Sequence, residues 1–355
     1  MANKANYYLE HQGTVLSKFD SKRKELPLCL QDYFQFIRDS RNASTAWAYV
    51  NDISCLIRYI REVNPLVSSM DVKDIPIDVF RDMKVSDYQE YVTWLRESLQ
   101  NTPATIDRKL ASIGSLYNYY INIREMFTFN PIPGVVKPKK PTRMIKYLTD
   151  EEVSGLFQYM DNLENVYALK APHKLPYFKK TKYRDTAIFM VLLGTGIRVS
   201  ELVGLNIYDV DFTERKLYVT RKGSDEDFVY FNTFVEQALT DYINIERNIY
   251  AETADTSQKA ALFLSNRKKR LSVRSVETLV KKYVSEIVPL KDIYVHSLRA
   301  TFATSTIKKT GGDTFIVSKA LGHKTLNMVN KYAAASDERK KSAAGSFNPW
   351  LDELS

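Results

Sequence analysis

The sequence predicts a mainly α-helical chain of two domains that carries one small antiparallel β-sheet. Three observations lead there. At 355 residues the chain exceeds the roughly 250 to 300 residues over which one hydrophobic core keeps growing. A break at residues 130–146, NPIPGVVKPKKPTRMIK, holds four prolines and five basic residues but no acid. Apolar residues recur at helical spacing almost throughout, and the period switches to two only around residues 216–231.

Composition narrows the class. Hydrophobic residues make up 44% and charged residues 26%, and 12 Gly with 12 Pro exclude a collagenous or low-complexity chain. Cys29 and Cys55 lie in apolar helical surroundings without CxxC or Cys/His spacing, so the expectation is buried free thiols in a reducing compartment and no metal site. The start, MANKANYYLEHQG, lacks the apolar core of a signal peptide, and no run of 18 apolar residues occurs. The expected setting is cytoplasmic, with no membrane partner. Lys and Arg number 51 against 42 Asp and Glu, a formal charge of +9, which points toward a polyanion.

The N-terminal domain, residues 1–129, reads as a bundle of four or five helices, with about 25 residues before the first. Leu28, Leu30, Tyr33, Phe34 and Ile37 form one stripe; Trp47, Val50, Ile53, Leu56, Ile57 and Ile60 form another. A third helix spans Val85 to Leu99. A fourth starts at Thr102-Pro103, a cap followed by proline at the first helical position, and runs through Ile106, Leu110, Ile113, Leu116 and Tyr117. The 130–146 segment follows as an extended basic linker, because proline disfavours helix and like charges repel.

The second domain, 147–355, opens with Thr149 and Glu152 spaced for a capping box, flanked by Leu148 and Val153 as a hydrophobic staple. A helix from Arg184 to Leu193 stops at Gly194-Thr195-Gly196, and another resumes at Arg198. Lys216 to Arg221 and Phe228 to Phe231 read as a hairpin whose turn begins at Lys222-Gly223. From about Ser272 onward the pattern is helical again.

Chemistry-bearing residues concentrate in this second domain. His296 and Arg299 are three residues apart, hence on one face of a helix. Leu321-Gly322-His323 precedes Tyr332 by nine residues, and Arg198 and Lys222 add positive charge at two element ends. Here the sequence resembles the tyrosine recombinases and phage integrases, most closely the simple Xer-type recombinases. Gly196 to Leu202 (GIRVSEL) looks like the family's first arginine box, with Glu201 at its supporting acidic position. Lys222 matches the lysine of the hairpin turn, His296 and Arg299 the HxxR box, His323 the LGH box and Tyr332 the nucleophile, in the family's order. Ser44 to Tyr49 and Thr105 to Leu110 are similar to parts of its core-binding domain. After Arg299 stands Ala300, where many relatives carry a second histidine.

The resemblance implies a SAM-like helical core-binding domain, a mixed catalytic domain, and an enzyme that cuts and rejoins DNA through a 3′-phosphotyrosyl bond. It also implies no cofactor and no separate arm-binding domain. The residue types suit that chemistry. Planar guanidiniums can bind the nonbridging oxygens of a phosphodiester bidentately, which makes Arg198 and Arg299 the clamp. A phenol with a pKa of about 10 needs a proton acceptor or a strongly cationic site; His296 is the candidate base and His323 a phosphate hydrogen-bond donor. A turn lysine can protonate the departing 5′ oxygen. That residue is Lys222, or another lysine if the acidic run Ser224 to Asp227 diverts it.

DNA contacts without chemistry are expected from Arg108 and Lys109, from Lys137, Lys139, Lys140 and Arg143 of the linker, from Lys179 and Lys180, and from Arg267, Lys268 and Arg274. The C-terminal set Phe347, Trp350, Leu351 and Leu354 is too small to cap its own helix. By resemblance it docks on a neighbouring subunit in a tetramer on DNA, either homomeric or shared with a related recombinase, with an accessory activator as a further possible partner. A noncatalytic DNA-binding protein on the same scaffold and a topoisomerase-like nicking and closing enzyme are the competing functions.

Overall fold

The computed structural model describes residues 4–141, 144–221, 225–322 and 332. The chain divides into two compact units, Met1–Thr142 and Arg143–Ser355.

The first unit contains α1 (Lys4–Arg23), α2 (Gln31–Ser40), α3 (Ala43–Val63), α4 (Pro65–Ser68), α5 (Asp78–Arg81), α6 (Val85–Glu97) and α7 (Pro103–Asn122). Its stripes bury as their spacing requires: Val50, Ile53 and Leu56 of α3 and Leu110, Ile113 and Leu116 of α7 are fully enclosed. Thr102 caps α7 by accepting from the Thr105 N–H, and Pro103 occupies the first turn. Two expectations fail here. Leu28 is 65% exposed because it sits in a 3-10 turn, Leu28–Leu30, held at Pro27 ahead of α2. And a 20-residue helix, α1, fills the stretch expected to precede the first helix; only Phe19 among its described side chains is fully buried, so no apolar stripe announced it.

The first unit also claims part of the expected linker. Ile132–Gly134 forms a 3-10 turn, Ile132 and Val135 join the core, and Lys137 and Lys140 both pair with Asp107 of α7. Two apolar side chains and a carboxylate outweigh the opening tendency of proline and like charge.

The second unit contains α8 (Asp150–Lys170), α9 (Leu175–Lys179), α10 (Lys182–Thr195), α11 (Val199–Gly204), β1 (Val210–Asp211), β2 (Lys216–Thr220), β3 (Glu226–Tyr230), α12 (Thr233–Asp241), α13 (Asn248–Glu252), α14 (Thr256–Lys259), α15 (Val273–Ile287), α16 (Val295–Lys309) and α17 (Thr314–Leu321). Thr149 and Glu152 cap α8 reciprocally, at 3.2 and 2.8 Å. The sheet is antiparallel in the order β1-β2-β3, with Leu217 opposite Val229 and Val219 opposite Asp227. β3 begins two residues earlier than expected, so Glu226 and Asp227 are strand residues. Between α12 and α13 a π-helical turn, Tyr242–Arg247, brings the Glu246 carboxylate to the Tyr183 and Arg184 N–H groups at 2.8 and 2.9 Å. That carboxylate satisfies the open donors of α10 and fixes its start.

Candidate active site

Four element ends and one helix interior meet at the site. α10 stops at Gly196 (φ 64°) and α17 stops at Gly322 (φ 60°), both in the left-handed conformation that glycine adopts without penalty. A Cβ on Gly196 would strike the Phe302 ring and come within 2.8 Å of Leu321, so this stop brings α10 directly against α16 and α17. Arg299, in the second turn of α16 and 2% exposed, donates through Nη1 to the Gly196 carbonyl (2.5 Å) and through Nη2 to the Leu321 carbonyl (2.7 Å). The negative ends of two helix dipoles thus hold one guanidinium. Burial, then the neighbouring Arg198, draws the Arg299 pKa down to about 10; the group stays charged at neutral pH.

Arg198 stands at the start of α11, with its side chain one-third exposed. Glu201, 2% exposed, is the carboxylate of that first turn. Its Oε2 accepts from the Arg198 N–H at 2.8 Å and its Oε1 from Arg198 Nη1 at 2.7 Å. Oε2 also accepts from Arg221 Nη1 at 3.0 Å. Arg221 follows the last residue of β2, continues the inward parity of Leu217 and Val219, and is 8% exposed; its Nε donates to Asp227 at 3.0 Å. The acidic run after the hairpin turn therefore serves Arg221 through Asp227.

His296 lies one turn before Arg299 on α16 and keeps contact with solvent. Desolvation of its inner side, followed by the charges of Arg299 and Arg198, lowers its pKa below the usual 6.5. The neutral imidazole is thereby favoured, and a neutral imidazole carries one nitrogen able to accept a proton. Tyr332 is 6% exposed and packs among Ala300, Ala303, Ile307, Val317 and Leu321. Its phenol lies within electrostatic reach of the Arg299 guanidinium.

Of the six residues singled out from the sequence, Arg198, His296, Arg299 and Tyr332 thus share one neighbourhood. Lys222 and His323 lie outside the described residues, as do Arg143 and the C-terminal set Phe347, Trp350, Leu351 and Leu354. Among the basic residues expected at DNA, Lys139, Lys180, Arg267, Lys268 and Arg274 are exposed. Lys137 and Lys140 share Asp107, Lys179 pairs with Glu164 at 3.0 Å, and Arg108 pairs with Asp52. Lys109 departs from expectation: it is 9% exposed and turned inward to Asp52 at 3.5 Å, so its ammonium serves a buried carboxylate. Sequence reading passed over Arg221. Its signal was available: an arginine continuing the inward parity of an alternating strand needs an acid, and buried Glu201 and partly exposed Asp227 supply two.

Among the described residues no group of three or more His, Cys, Asp or Glu side chains is placed to hold a metal ion, and no helix is long and apolar enough to cross a membrane.

Comparison with known proteins bears on this geometry. Tyrosine recombinase XerC of Caldanaerobacter subterraneus subsp. tengcongensis is 29% identical over 363 residues, covering 98% of this chain and 96% of that protein. Tyrosine recombinase XerS of Streptococcus gordonii is 28% identical, covering 93% and 98%. In solved structures the fold is similar to XerH site-specific recombinase bound to palindromic difH substrate, with a TM-score of 0.65, 18% identity and coverage of 89% and 83%. It is also similar to a lambda integrase dimer bound to a COC′ core site, with a TM-score of 0.61, 15% identity and coverage of 86% and 93%. The sequence profile described as the phage integrase family matches residues 146–339, more than half of the chain and the whole stretch that brings Arg198, His296, Arg299 and Tyr332 together; this chain belongs to the phage integrase family.

Proposed function

We propose that the chain is a site-specific DNA recombinase that breaks and rejoins strands through a phosphotyrosyl intermediate on Tyr332. The observation that carries this reading is a buried tyrosine within reach of a charged, helix-anchored arginine, in a family whose curated relatives XerC and XerS are named tyrosine recombinases.

The reaction follows from the side chains. Arg198 and Arg299 hold the nonbridging oxygens of the scissile phosphate, where negative charge builds in the transition state. Neutral His296 takes the phenol proton as the Tyr332 oxygen bonds to phosphorus. The bond from phosphorus to the 5′ oxygen breaks, and Lys222 gives that oxygen a proton while His323 donates to the phosphate. The 3′-phosphotyrosyl bond keeps the energy of the broken phosphodiester until a 5′ hydroxyl attacks and releases the phenol. Attack by a strand of a partner duplex gives recombination. Religation of the same strand gives nicking and closing.

The two units divide the work. Residues 1–129 form a DNA-binding domain, residues 130–146 a basic connection and residues 147–355 the catalytic domain. Exposed Lys139, Lys180, Arg267, Lys268 and Arg274 contact phosphates directly; Arg108, Lys137, Lys140 and Lys179 exchange their carboxylate partners for phosphate on binding. The working assembly is a tetramer of this chain, or one shared with a related recombinase, on a specific duplex. Its tasks are chromosome dimer resolution or integration and excision of a mobile element.

A nicked suicide duplex built on the site that footprinting defines tests the reading, because the short strand diffuses away after cleavage and traps the adduct. The wild-type protein is expected to accumulate a covalent protein-DNA species and Tyr332→Phe none. No adduct from the wild type, or an undiminished one from Tyr332→Phe, would overturn it.

A further inference from the structure

The inference concerns Arg221 and rests on the recombinase reading. We propose that Arg221 is a positioning residue that acts through Glu201 to keep the Arg198 guanidinium available to the scissile phosphate.

Glu201 is almost fully buried, so both carboxylate oxygens require donors. Left with Arg198 as its one cationic partner, a carboxylate gains most by a two-point pairing with the guanidinium fork. That pairing would occupy the two parallel N–H groups that a phosphate needs. The observed arrangement prevents it. Oε2 is held by the Arg198 N–H and by Arg221 Nη1, and one oxygen, Oε1, meets one nitrogen, Nη1, of the Arg198 side chain. One-third of the Arg198 side chain remains exposed. Charge works in the same direction: Glu201 is shared by two arginines, so it does not neutralise Arg198.

Arg221 is itself fixed from three sides. Nε donates to Asp227 of β3 (3.0 Å), and the main-chain N–H donates to the Asp225 carbonyl (2.7 Å). The guanidinium lies beneath Gly322, where a Cβ would come within 2.9 Å of Arg221 Cζ. The same glycine ends α17, whose Leu321 carbonyl binds Arg299. Nη2 is buried with no hydrogen-bond partner among the described residues. Leaving a buried donor unpaired is unfavourable. A residue selected only to hold the β2–β3 hairpin has no need of it, whereas one whose direction is set by Glu201, Asp227 and Gly322 together must accept it.

The test compares single-turnover cleavage by the full-length protein on two suicide duplexes of the footprinted site. One carries the ordinary scissile phosphodiester. The other has a neutral methylphosphonate there, which removes the charge that Arg198 must hold. With Arg221→Met, and with Arg221→Lys, whose point charge cannot reach both Glu201 and Asp227, adduct formation on the phosphodiester should slow by about tenfold or more at saturating protein, the range expected for a displaced catalytic group. Equilibrium affinity for the duplex should stay within about twofold, and the defect should largely disappear on the methylphosphonate. Wild-type rates in both variants, or equal slowing on both substrates, would overturn the proposal. Should the Arg221 variants fail to fold, Asp227→Asn releases the Nε end alone and should show a smaller defect with the same substrate selectivity; a defect without selectivity would count against it. A wild type that forms no adduct would instead remove the recombinase reading, and this inference with it.

Discussion

Each unit buries one carboxylate between two basic side chains, and the two arrangements have opposite purposes. In the first unit Asp52, 1% exposed, accepts from Arg108, Lys109 and Ser112. Lys109 is buried with it, the polar groups satisfy one another, and the cluster ties α3 to α7. In the second unit Glu201, 2% exposed, lies between Arg198 and Arg221, with the Arg299 charge close enough to be felt. One donor, Arg221 Nη2, is unpaired among the described residues, and the charged form of the nearby imidazole is disfavoured. In one cluster the bases serve the acid; in the other the acid serves the bases. A buried ion pair therefore says little about function until the unpaired donors and shifted neighbours beside it are found.

This contrast can be broken at several points. The largest expected effect is on Arg198. It is one-third exposed, so Arg198→Ala should leave the fold nearly intact yet lower single-turnover cleavage by roughly 100-fold or more, the usual loss for a donor aimed at developing charge. A comparable loss of thermal stability would mean that its charge is structural after all. Arg299→Ala should lose both activity and stability, because it also removes the link between the α10 and α17 ends.

Asp52→Ala is the mirror experiment. It strands the Lys109 ammonium in the core and should cost about 3 kcal/mol of unfolding free energy, while cleavage per folded molecule stays at the wild-type rate. Denaturant titration alongside adduct formation separates the two.

The pH profile comes next in size. Desolvation and two guanidiniums disfavour the imidazolium of His296, so its folded pKa lies below the 6.5 of a free imidazole. The unfolded chain then takes up the proton first. Stability linked to His296 is complete above pH 6.5 and is lost as pH falls toward the folded pKa. Cleavage should decline on the acid side with a midpoint below 6.5, and His296→Gln should abolish that limb along with most of the rate. A midpoint above 6.5 would contradict the electrostatics described here.

The smallest effect belongs to Asp107, whose carboxyl Lys137 and Lys140 hold below its ordinary pKa. These groups are partly exposed, so Asp107→Asn should change stability by no more than about 1 kcal/mol. Releasing two lysines should tighten low-salt DNA binding and steepen its salt dependence, as a filter-binding titration would register.

What the sequence revealed depended on whether a residue's environment was local. Helices with apolar stripes, the Thr149 to Glu152 cap and the glycine stop before Arg198 are written in short windows, and the structure contains all three. The neighbourhood of Arg198, His296, Arg299 and Tyr332 was legible only through the joint order of the motifs. Helix α1 escaped notice because it buries little. The fates of Lys109 and Arg221 escaped because each is set by a carboxylate far along the chain, Asp52 for one and Glu201 for the other, and charge alone does not distinguish a surface lysine from a buried counter-ion.

Tyr332 works with the arginines of its own chain, since it packs into its own second unit within electrostatic reach of Arg299. Mixing Tyr332→Phe protein with Arg299→Ala protein on the suicide duplex tests this directly. If the site is built within one chain, no mixed assembly contains a complete site opened by complementation, and the mixture should form no more adduct than either variant alone. Adduct restored toward a quarter or more of the wild-type yield, about the share that random pairing of two inactive chains would provide, would show that the tyrosine is donated between subunits and would contradict the account.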